Sequence, residues 1–153
     1  LSPGGAETYG ALSTDVALFV SPSLSPQLTF APRIGAGHNV GAFPFYAAQT
    51  LGGSETLRGH RSDRFAGRTR AYANFDLRAR LKEFATYLAV GELGVLGFLD
   101  TGRVWVDDDR SDTWHHGYGG GLWLNLFDAA VLTAAYARSS EGQTVTVQFG
   151  FQY

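Results

Sequence analysis

Residues 145–153, the last nine of the chain, read Val-Thr-Val-Gln-Phe-Gly-Phe-Gln-Tyr. Because successive side chains of a β-strand point to opposite faces, this unbroken alternation predicts a strand with one apolar and one polar face. The apolar stripe consists of Val145, Val147, Phe149, Phe151 and Tyr153. An apolar outer face that ends on an aromatic residue is typical of a transmembrane barrel strand. A strand of a soluble β-sandwich is the alternative interpretation.

The composition agrees with a barrel and excludes other classes of protein. The chain has 153 residues, and no apolar run approaches the ~20 residues of a membrane helix, which excludes a helical membrane protein. Its net charge of −2 provides no basic field, so we expect no nucleic-acid partner. The lack of cysteine is compatible with an oxidising envelope. Because the chain begins at Leu1 without a Met or a signal peptide, we expect it to be part of a longer protein.

An apolar period of two recurs along the chain and predicts seven strands. They lie at 9–20, 27–37, 68–82, 87–106, 116–126, 130–138 and 143–153. In the third strand the even positions from Arg70 to Lys82 are charged or polar, and the odd positions from Ala71 to Leu81 are apolar. No segment shows the period of 3.6 that predicts a helix. The predicted fold class is therefore all-β, an antiparallel transmembrane barrel.

The predicted connections differ in length. Those at 21–26, 83–86 and 127–129 are short, whereas 39–67 is long and 107–113 is acidic and polar. In outer-membrane barrels the short turns lie on the periplasmic rim and the longer loops lie outside. Bacterial barrels usually have an even number of strands, and roughly eight close the smallest one. We therefore expect further strands, either from the upstream part of the same chain or from a second copy.

Several short motifs lie in and after the long connection. They are Leu-Gly-Gly-Ser-Glu-Thr-Leu-Arg-Gly-His at 51–60, Arg-Phe-Ala-Gly at 64–67, Asn-Phe-Asp-Leu-Arg at 74–78 and Phe-Leu-Asp-Thr-Gly-Arg-Val-Trp at 98–105. In this order they resemble the carboxyl-terminal barrel half of the BamA/TamA and two-partner-secretion transporter superfamily, also called the bacterial surface antigen family. The resemblance covers nearly the whole chain and implies about sixteen strands in the complete barrel. His60 stands where the family usually has Phe or Tyr, and Asp76 where it usually has Glu.

The connection 39–67 is the candidate functional segment, because a loop of about 29 residues in a compact barrel is more often functional than idle. Its central motif is Leu57, Arg58, Gly59 and His60. If the loop enters the lumen, Arg58 needs a carboxylate partner, since an unpaired guanidinium in a confined site is costly. Strand phase places Asp76 and Asp100 on the inner faces of neighbouring strands. The resemblance implies that such acidic residues pin a lid loop through its arginine, and an exposed loop arginine is the alternative.

Other residue groups give weaker signals. The segment 52–56 begins like the nucleophile elbow of a serine hydrolase but lacks the closing Gly. The acidic run 107–112, close to His115 and His116, does not have the spacing of an EF-hand and is interpreted as a solvated loop. The glycines at 117–121 precede no helix pattern and so form no phosphate cradle. We predict no catalytic residue, no metal site and no cofactor.

The resemblance implies that the chain inserts other proteins into the bacterial outer membrane or translocates them across it, without covalent chemistry. In the implied mechanism, an openable junction between the first and last strands offers backbone groups to a client strand. The implied partners are the lipid bilayer and a client or secreted polypeptide. One alternative is a membrane anchor for an upstream enzyme domain, such as a lipid hydrolase or phosphoesterase. A passive pore is a further alternative, which a loop inside the lumen disfavours.

Overall fold

The structure is a computed structural model that describes residues 8–23, 27–87, 90–107 and 112–151. Its strands are β1 (Tyr9–Ala17), β2 (Leu28–Gly41), β3 (Gln49–Leu51), β4 (Phe65–Gly67), β5 (Thr69–Ala85), β6 (Val90–Trp105), β7 (His115–Leu126), β8 (Ala130–Ser139) and β9 (Gly142–Phe151). A 3₁₀ turn, Phe45–Ala47, precedes β3. Across these ranges no helix is both long and apolar enough to cross a membrane. Tyr153, the predicted aromatic end of the last strand, lies outside the described residues.

Seven strands form one antiparallel sheet in the order β1-β2-β5-β6-β7-β8-β9. The two remaining strands, β3 and β4, pair with each other as a separate ribbon. In the sheet as described, β1 and β9 are the edge strands. The prediction of an all-β, antiparallel structure is confirmed, because each predicted strand corresponds to one strand of the sheet.

The strand β5 is longer than the sequence pattern predicted. It continues through the predicted turn to Ala85, after a bulge between Arg80 and Lys82 that shifts its register with β6. In the shifted register Glu83 lies opposite Glu92, and repulsion between these two like charges destabilises the strand pair. Arg80 forms ion pairs with both carboxylates and so offsets this repulsion. Residues 83–85, predicted as part of a short connection, therefore lie inside the strand.

The predicted loop 39–67 contains more regular structure than expected. It begins inside β2, which ends at Gly41, and it includes β3 and β4. Two buried amides hold its base: Gln49 Nε2 donates to Asn39 Oδ1, and Asn39 Nδ2 donates to the Ala47 carbonyl oxygen, each over 2.6 Å. Because these buried polar groups are paired with each other and with the backbone, the segment can enter and leave the sheet at a fixed position.

The connections do not alternate in length as simply as predicted. In this antiparallel order, the β2–β5, β6–β7 and β8–β9 connections lie at one end of the sheet. The first two are long, but residues 140–141 join β8 and β9 in a tight turn. Part of the segment between β3 and β4 packs directly against this turn through Gly59 and His60. This end of the sheet therefore has one short turn, between β8 and β9, and the β2–β5 connection covers it.

The two faces of the sheet differ in chemistry. We define the inner face as the one against which the β3–β4 ribbon packs, and its buried side chains include Tyr72, Asn74, Phe98 and Asp100. The opposite, outer face carries exposed large apolar side chains. They include Leu12, Val16, Ile34, Leu77, Leu99, Leu122, Tyr136, Val145, Val147 and Phe149. This distribution has polar groups inside and apolar groups outside, the reverse of a water-soluble sheet with a packed core.

Candidate functional site

Residues 49–67 form a compact unit, which we term the inner ribbon. The strands β3 and β4 form its stem, and Gly52, Gly53 and Gly59 have φ of +128°, +82° and +90°, respectively. These left-handed conformations favour glycine and allow the chain to reverse direction within a short distance. Leu51 and Leu57 are 1% and 0% exposed, so the packing of their buried side chains stabilises the position of the ribbon. The bends between them direct Arg58 onto the inner face of the sheet.

The Arg58 side chain binds two carboxylates of the inner face. Its Nε donates to Asp100 Oδ2 over 2.7 Å, and its Nη2 donates to Asp100 Oδ1 over 2.6 Å. The same Nη2 also donates to Asp76 Oδ1 over 2.6 Å. In addition, the Arg58 backbone N–H donates to Asp100 Oδ2 over 2.9 Å. The guanidinium thus grips one carboxylate with two nitrogens and reaches a second, which is the geometry that favours arginine over lysine.

Strand register explains how the two carboxylates come to lie together. Asp76 on β5 is opposite Phe98 on β6, and Asp100 is two residues further along β6 on the same face. The two acidic residues are therefore diagonal neighbours, and the Phe98 ring lies beside them. The Arg58 guanidinium carbon lies 3.8 Å from the centre of that ring. Phe98 is thus a flat platform that holds the guanidinium in the plane from which it reaches both carboxylates.

Arg58, Asp76, Asp100 and Phe98, which we term the Arg58 cluster, are partly shielded from water. The Asp100 side chain is fully buried, whereas those of Arg58 and Asp76 are 19% and 16% exposed. Burial lowers the pKa of the Arg58 guanidinium, but hydrogen bonds to Asp100 and Asp76 more than offset it and leave that pKa above its ordinary value. The cation therefore stays charged throughout the physiological range. A buried carboxylate that depends on one cation makes this contact costly to break.

Further contacts align the inner ribbon over β5 and β7. Asn74 Nδ2 donates to the Thr56 carbonyl oxygen over 2.9 Å, and Arg70 Nη1 donates to the Thr50 carbonyl oxygen over 2.9 Å. On β7, Gly117 lies opposite Asp100 and makes room for the ribbon backbone. A Cβ atom at this position would lie 1.8 Å from the Arg58 carbonyl oxygen. The absence of a side chain at position 117 therefore permits the approach that brings Arg58 to Asp100.

We expect Gly117→Ala to displace the inner ribbon. The atom that the new methyl group meets belongs to the backbone, so no side-chain rotation relieves the overlap. The expected cost is near the upper end of about 1–3 kcal/mol in free energy of unfolding, together with faster hydrogen exchange in the ribbon. Denaturant unfolding from lipid vesicles measures the first effect and mass spectrometry the second.

Gly97→Ala is the matched control for this prediction. Gly97 lies on β6, and a Cβ atom there would have its nearest neighbour 4.0 Å away. The substitution should change the free energy of unfolding by no more than about 0.5 kcal/mol. Equal losses in the two variants would show that alanine is poorly tolerated in the sheet generally, and the close approach at position 117 would then carry no special weight.

The other residues of the predicted motif are also placed by the structure. The His60 ring is 3% exposed and packs edge-on against Phe65, with 5.2 Å between ring centres. Phe149, predicted as part of the terminal strand signal, lies on β9 and is 62% exposed on the outer face. Phe151 is the last residue of β9, and Tyr153 lies beyond the described part of the chain. His60 thus belongs to the ribbon contacts, whereas Phe149 does not.

Two carboxylates of the acidic connection after β6 bind arginine side chains. The Arg68 guanidinium binds Asp107 through Nε and Nη2, with distances of 2.5–2.8 Å, and Arg103 Nη2 lies 2.5 Å from Asp112 Oδ1. The hydrogen bond from Arg68 holds the pKa of the Asp107 carboxyl below its ordinary value. Within the described residues no group of three or more His, Asp or Glu side chains is arranged to hold a metal ion. These carboxylates serve as partners for arginine at the rim.

Comparison with known proteins places the chain in a family. The model of the Omp85 superfamily domain matches residues 1–153. The chain belongs to the Omp85 superfamily. This match confirms the family to which the motifs of the inner ribbon, β5 and β6 pointed. At the level of the family it implies insertion or translocation of proteins at the outer membrane. Searches of the curated proteins and of the solved structures found no match to the chain.

Sequence reasoning missed several residues that position the ribbon in this Omp85 domain. Phe98 was noted only as part of a motif, although its ring supports the Arg58 guanidinium. Ser139 and Glu141, next to and within the β8–β9 turn, bind Gly59 and His60. Nothing in the local sequence marks these two residues, because their partners lie about 80 positions away. The glycine at position 117 gave a signal, since glycine inside a strand often marks a close backbone approach.

Proposed function

We propose that this chain forms part of the wall of an outer-membrane barrel that inserts other proteins into that membrane or translocates them across it. In this proposal the inner ribbon is a lid on the lumen side. The observation that carries it is the set of hydrogen bonds from Arg58 to Asp100 and Asp76, which hold the inner ribbon against the inner face. Such a contact depends on a few charged hydrogen bonds, so it can be released as a unit when a client enters.

The outer face supports contact with lipid. Val145, Val147 and Leu122 are 72%, 66% and 56% exposed, and they belong to a broad apolar surface of the sheet. Soluble monomeric proteins rarely leave apolar patches of more than a few hundred Å² uncovered. A lipid bilayer is the partner that fits such a surface on an Omp85 domain. Further strands, from the same chain or from a second copy, would complete a barrel of about sixteen.

The edge strand β9 supports the reception of a client strand. Its described pairing is with β8, so one row of its backbone N–H and C=O groups points away from the sheet. An extended polypeptide can add to such an edge through main-chain hydrogen bonds, with little dependence on sequence. The proposed partner is therefore a client or secreted polypeptide. The proposed mechanism involves no catalytic residue, metal ion, cofactor or nucleic acid.

Reconstitution tests the proposal. The protein is placed in lipid vesicles, an unfolded small outer-membrane barrel protein is added, and the rate at which this client becomes protease-resistant is measured. We expect insertion severalfold faster than in empty vesicles, and a rate close to that of empty vesicles for Arg58→Ala. The control variant Arg78→Ala removes an arginine that is 47% exposed and 3.6 Å from Asp76, and it should retain activity.

Two other results would contradict the proposal. Hydrolysis of lipid or of a phosphoester by the protein, without faster client insertion, would indicate a membrane anchor for an enzyme. Steady ion conductance that is indifferent to Arg58→Ala, without client insertion, would indicate a passive pore. Because conductance, hydrolysis and insertion are measured on the same vesicles, each outcome separates one function from the other two.

A further inference from the structure

A second contact joins the inner ribbon to the β8–β9 turn. The buried ring of His60 has Nδ1 3.2 Å from Glu141 Oε2 and Nε2 3.2 Å from the carbonyl oxygen of His116. A carboxylate and a carbonyl oxygen only accept hydrogen bonds, so each ring nitrogen must carry a hydrogen to bind its neighbour. A neutral imidazole carries one N–H and satisfies one acceptor. The protonated ring satisfies both.

The same turn holds the ribbon through two more groups. Arg64 donates from Nε to Glu141 Oε2 over 3.1 Å, and its Nη2 lies 2.8 Å from Glu141 Oε1. Ser139 Oγ donates to the Gly59 carbonyl oxygen over 2.7 Å. The Glu141 carboxylate therefore receives both the His60 ring and the Arg64 guanidinium. Because Gly59 and His60 directly follow Arg58, this contact adjoins the Arg58 cluster. It involves the β8–β9 turn, however, whereas Arg58 binds β5 and β6.

We infer that the β8–β9 turn is a second anchor of the inner ribbon and that protonation of His60 tightens it. The inference rests on the proposed function in so far as the ribbon is a lid. It adds a partner for the lid that lies next to β9, the edge strand proposed to receive the client. In this arrangement Glu141 is a positioning residue, because it acts on the lid rather than on the client. The position of the lid is then linked to the hairpin whose edge strand would receive the client strand.

The charged and titratable groups that face the His60 ring are the Glu141 carboxylate, the Arg64 guanidinium and the neighbouring His115 and His116. A hydrogen bond from His60 lowers the pKa of the Glu141 carboxyl below its ordinary value of 4.5; burial opposes this shift, and a hydrogen bond from Arg64 adds to it.

The sign of the pH dependence follows from these two groups. The pKa of Glu141 is lowered in the folded protein. Its contribution to the stability of the anchor is therefore present above the ordinary carboxyl range and is lost as pH falls through the lowered pKa. Imidazole side chains gain their proton between about pH 8 and about pH 5. The anchor should therefore tighten as pH falls through this range and weaken again only when Glu141 becomes protonated.

Distance measurement between two nitroxide labels tests the inference. Because the chain has no cysteine, labels can be placed at Ser62→Cys on the ribbon and Ser140→Cys on the turn, both exposed positions. The protein is reconstituted in lipid vesicles without a client. We expect the fraction with a long, broadly distributed distance to fall roughly tenfold from about pH 8 to about pH 5.5, the effect of one charge-assisted hydrogen bond.

Substitutions then identify the group responsible. His60→Phe keeps a planar ring against Phe65, and Glu141→Gln changes an exposed turn residue without altering its size. Both should abolish the pH response, whereas His115→Phe should retain it. A response that persists in His60→Phe, or a wild-type protein whose distances do not change with pH, would overturn the inference.

The two proposals can fail separately. The distances are measured without a client, so an intact pH response together with failed client insertion would overturn the proposed function alone. Conversely, faster client insertion by a protein whose label distances ignore pH would overturn the second anchor alone. Arg58→Ala provides one more comparison. With the Arg58 side-chain contacts to Asp100 and Asp76 removed, the labelled ribbon should depend more strongly on pH, because the β8–β9 turn then supplies a larger share of its attachment.

Discussion

Arg58→Ala is expected to lower the free energy of unfolding by about 3–5 kcal/mol and to release the inner ribbon from Asp100 and Asp76. The Asp100 side chain is fully buried and accepts hydrogen bonds from Nε, Nη2 and the backbone N–H of Arg58. Alanine keeps only the backbone donor, so the carboxylate retains its burial but loses its counter-charge. Denaturant unfolding from lipid vesicles measures the loss, and hydrogen exchange shows whether residues 49–67 become accessible.

A double-mutant cycle isolates the pair from its surroundings. Asp100→Asn removes the charge from the buried partner and leaves Arg58 with Asp76 alone. Because the two residues act as a unit, the double variant should be less destabilised than the sum of the single variants, with a coupling of roughly 0.5–3 kcal/mol. Additive effects would mean that the buried contact contributes little to holding the ribbon, and the lid proposal would lose its main support.

Two further variants separate the geometry of Arg58 from its charge. Arg58→Lys keeps the cation but cannot bind both Asp100 oxygens through a planar fork, so it should restore only part of the stability and of the client insertion. Arg78→Ala removes an exposed cation 3.6 Å from Asp76, and such pairs contribute about 0–1 kcal/mol. Full rescue by lysine would show that charge alone suffices at this position.

The inner wall of the site could be predicted from sequence because it depends on a local rule. A strand period of two assigns Asp76 and Asp100 to one face, and the antiparallel order of β5 and β6 makes them neighbours. The nature of their partner was also accessible, since an arginine between glycines in a long connection requires a carboxylate if it is enclosed. These inferences needed no knowledge of how the ribbon itself folds.

The rest of the site could not be predicted, because it depends on contacts between distant segments. Glu141 meets His60 only when the β8–β9 turn is short and the ribbon lies over it, and neither condition has a local signal. The continuation of β5 is a similar case. The predicted connection begins at Glu83, yet Arg80 accommodates this residue inside the strand by pairing both with Glu83 and with Glu92 on the neighbouring strand. In both places a contact between residues distant in the sequence decides the structure.

Leu77→Arg is expected to destabilise the protein by about 2–4 kcal/mol in a bilayer. Leu77 lies at the centre of β5, is 50% exposed and belongs to the apolar outer face. If that face contacts lipid, a guanidinium there must leave water or draw water and headgroups into the hydrocarbon. Unfolding by denaturant from lipid vesicles gives the cost.

The position of the new charge should decide its cost, which separates a lipid-facing wall from an ordinary sheet. Phe149 lies near the end of β9, where a bilayer interface is close, so Phe149→Arg should cost only about 0–1 kcal/mol. Gln148 is next to it on the polar face, and Gln148→Arg should likewise cost far less than Leu77→Arg. In water, by contrast, arginine at a half-exposed position would be tolerated within about 0.5 kcal/mol. A loss of that small size at Leu77 would therefore place the outer face in contact with water or with another protein rather than with lipid.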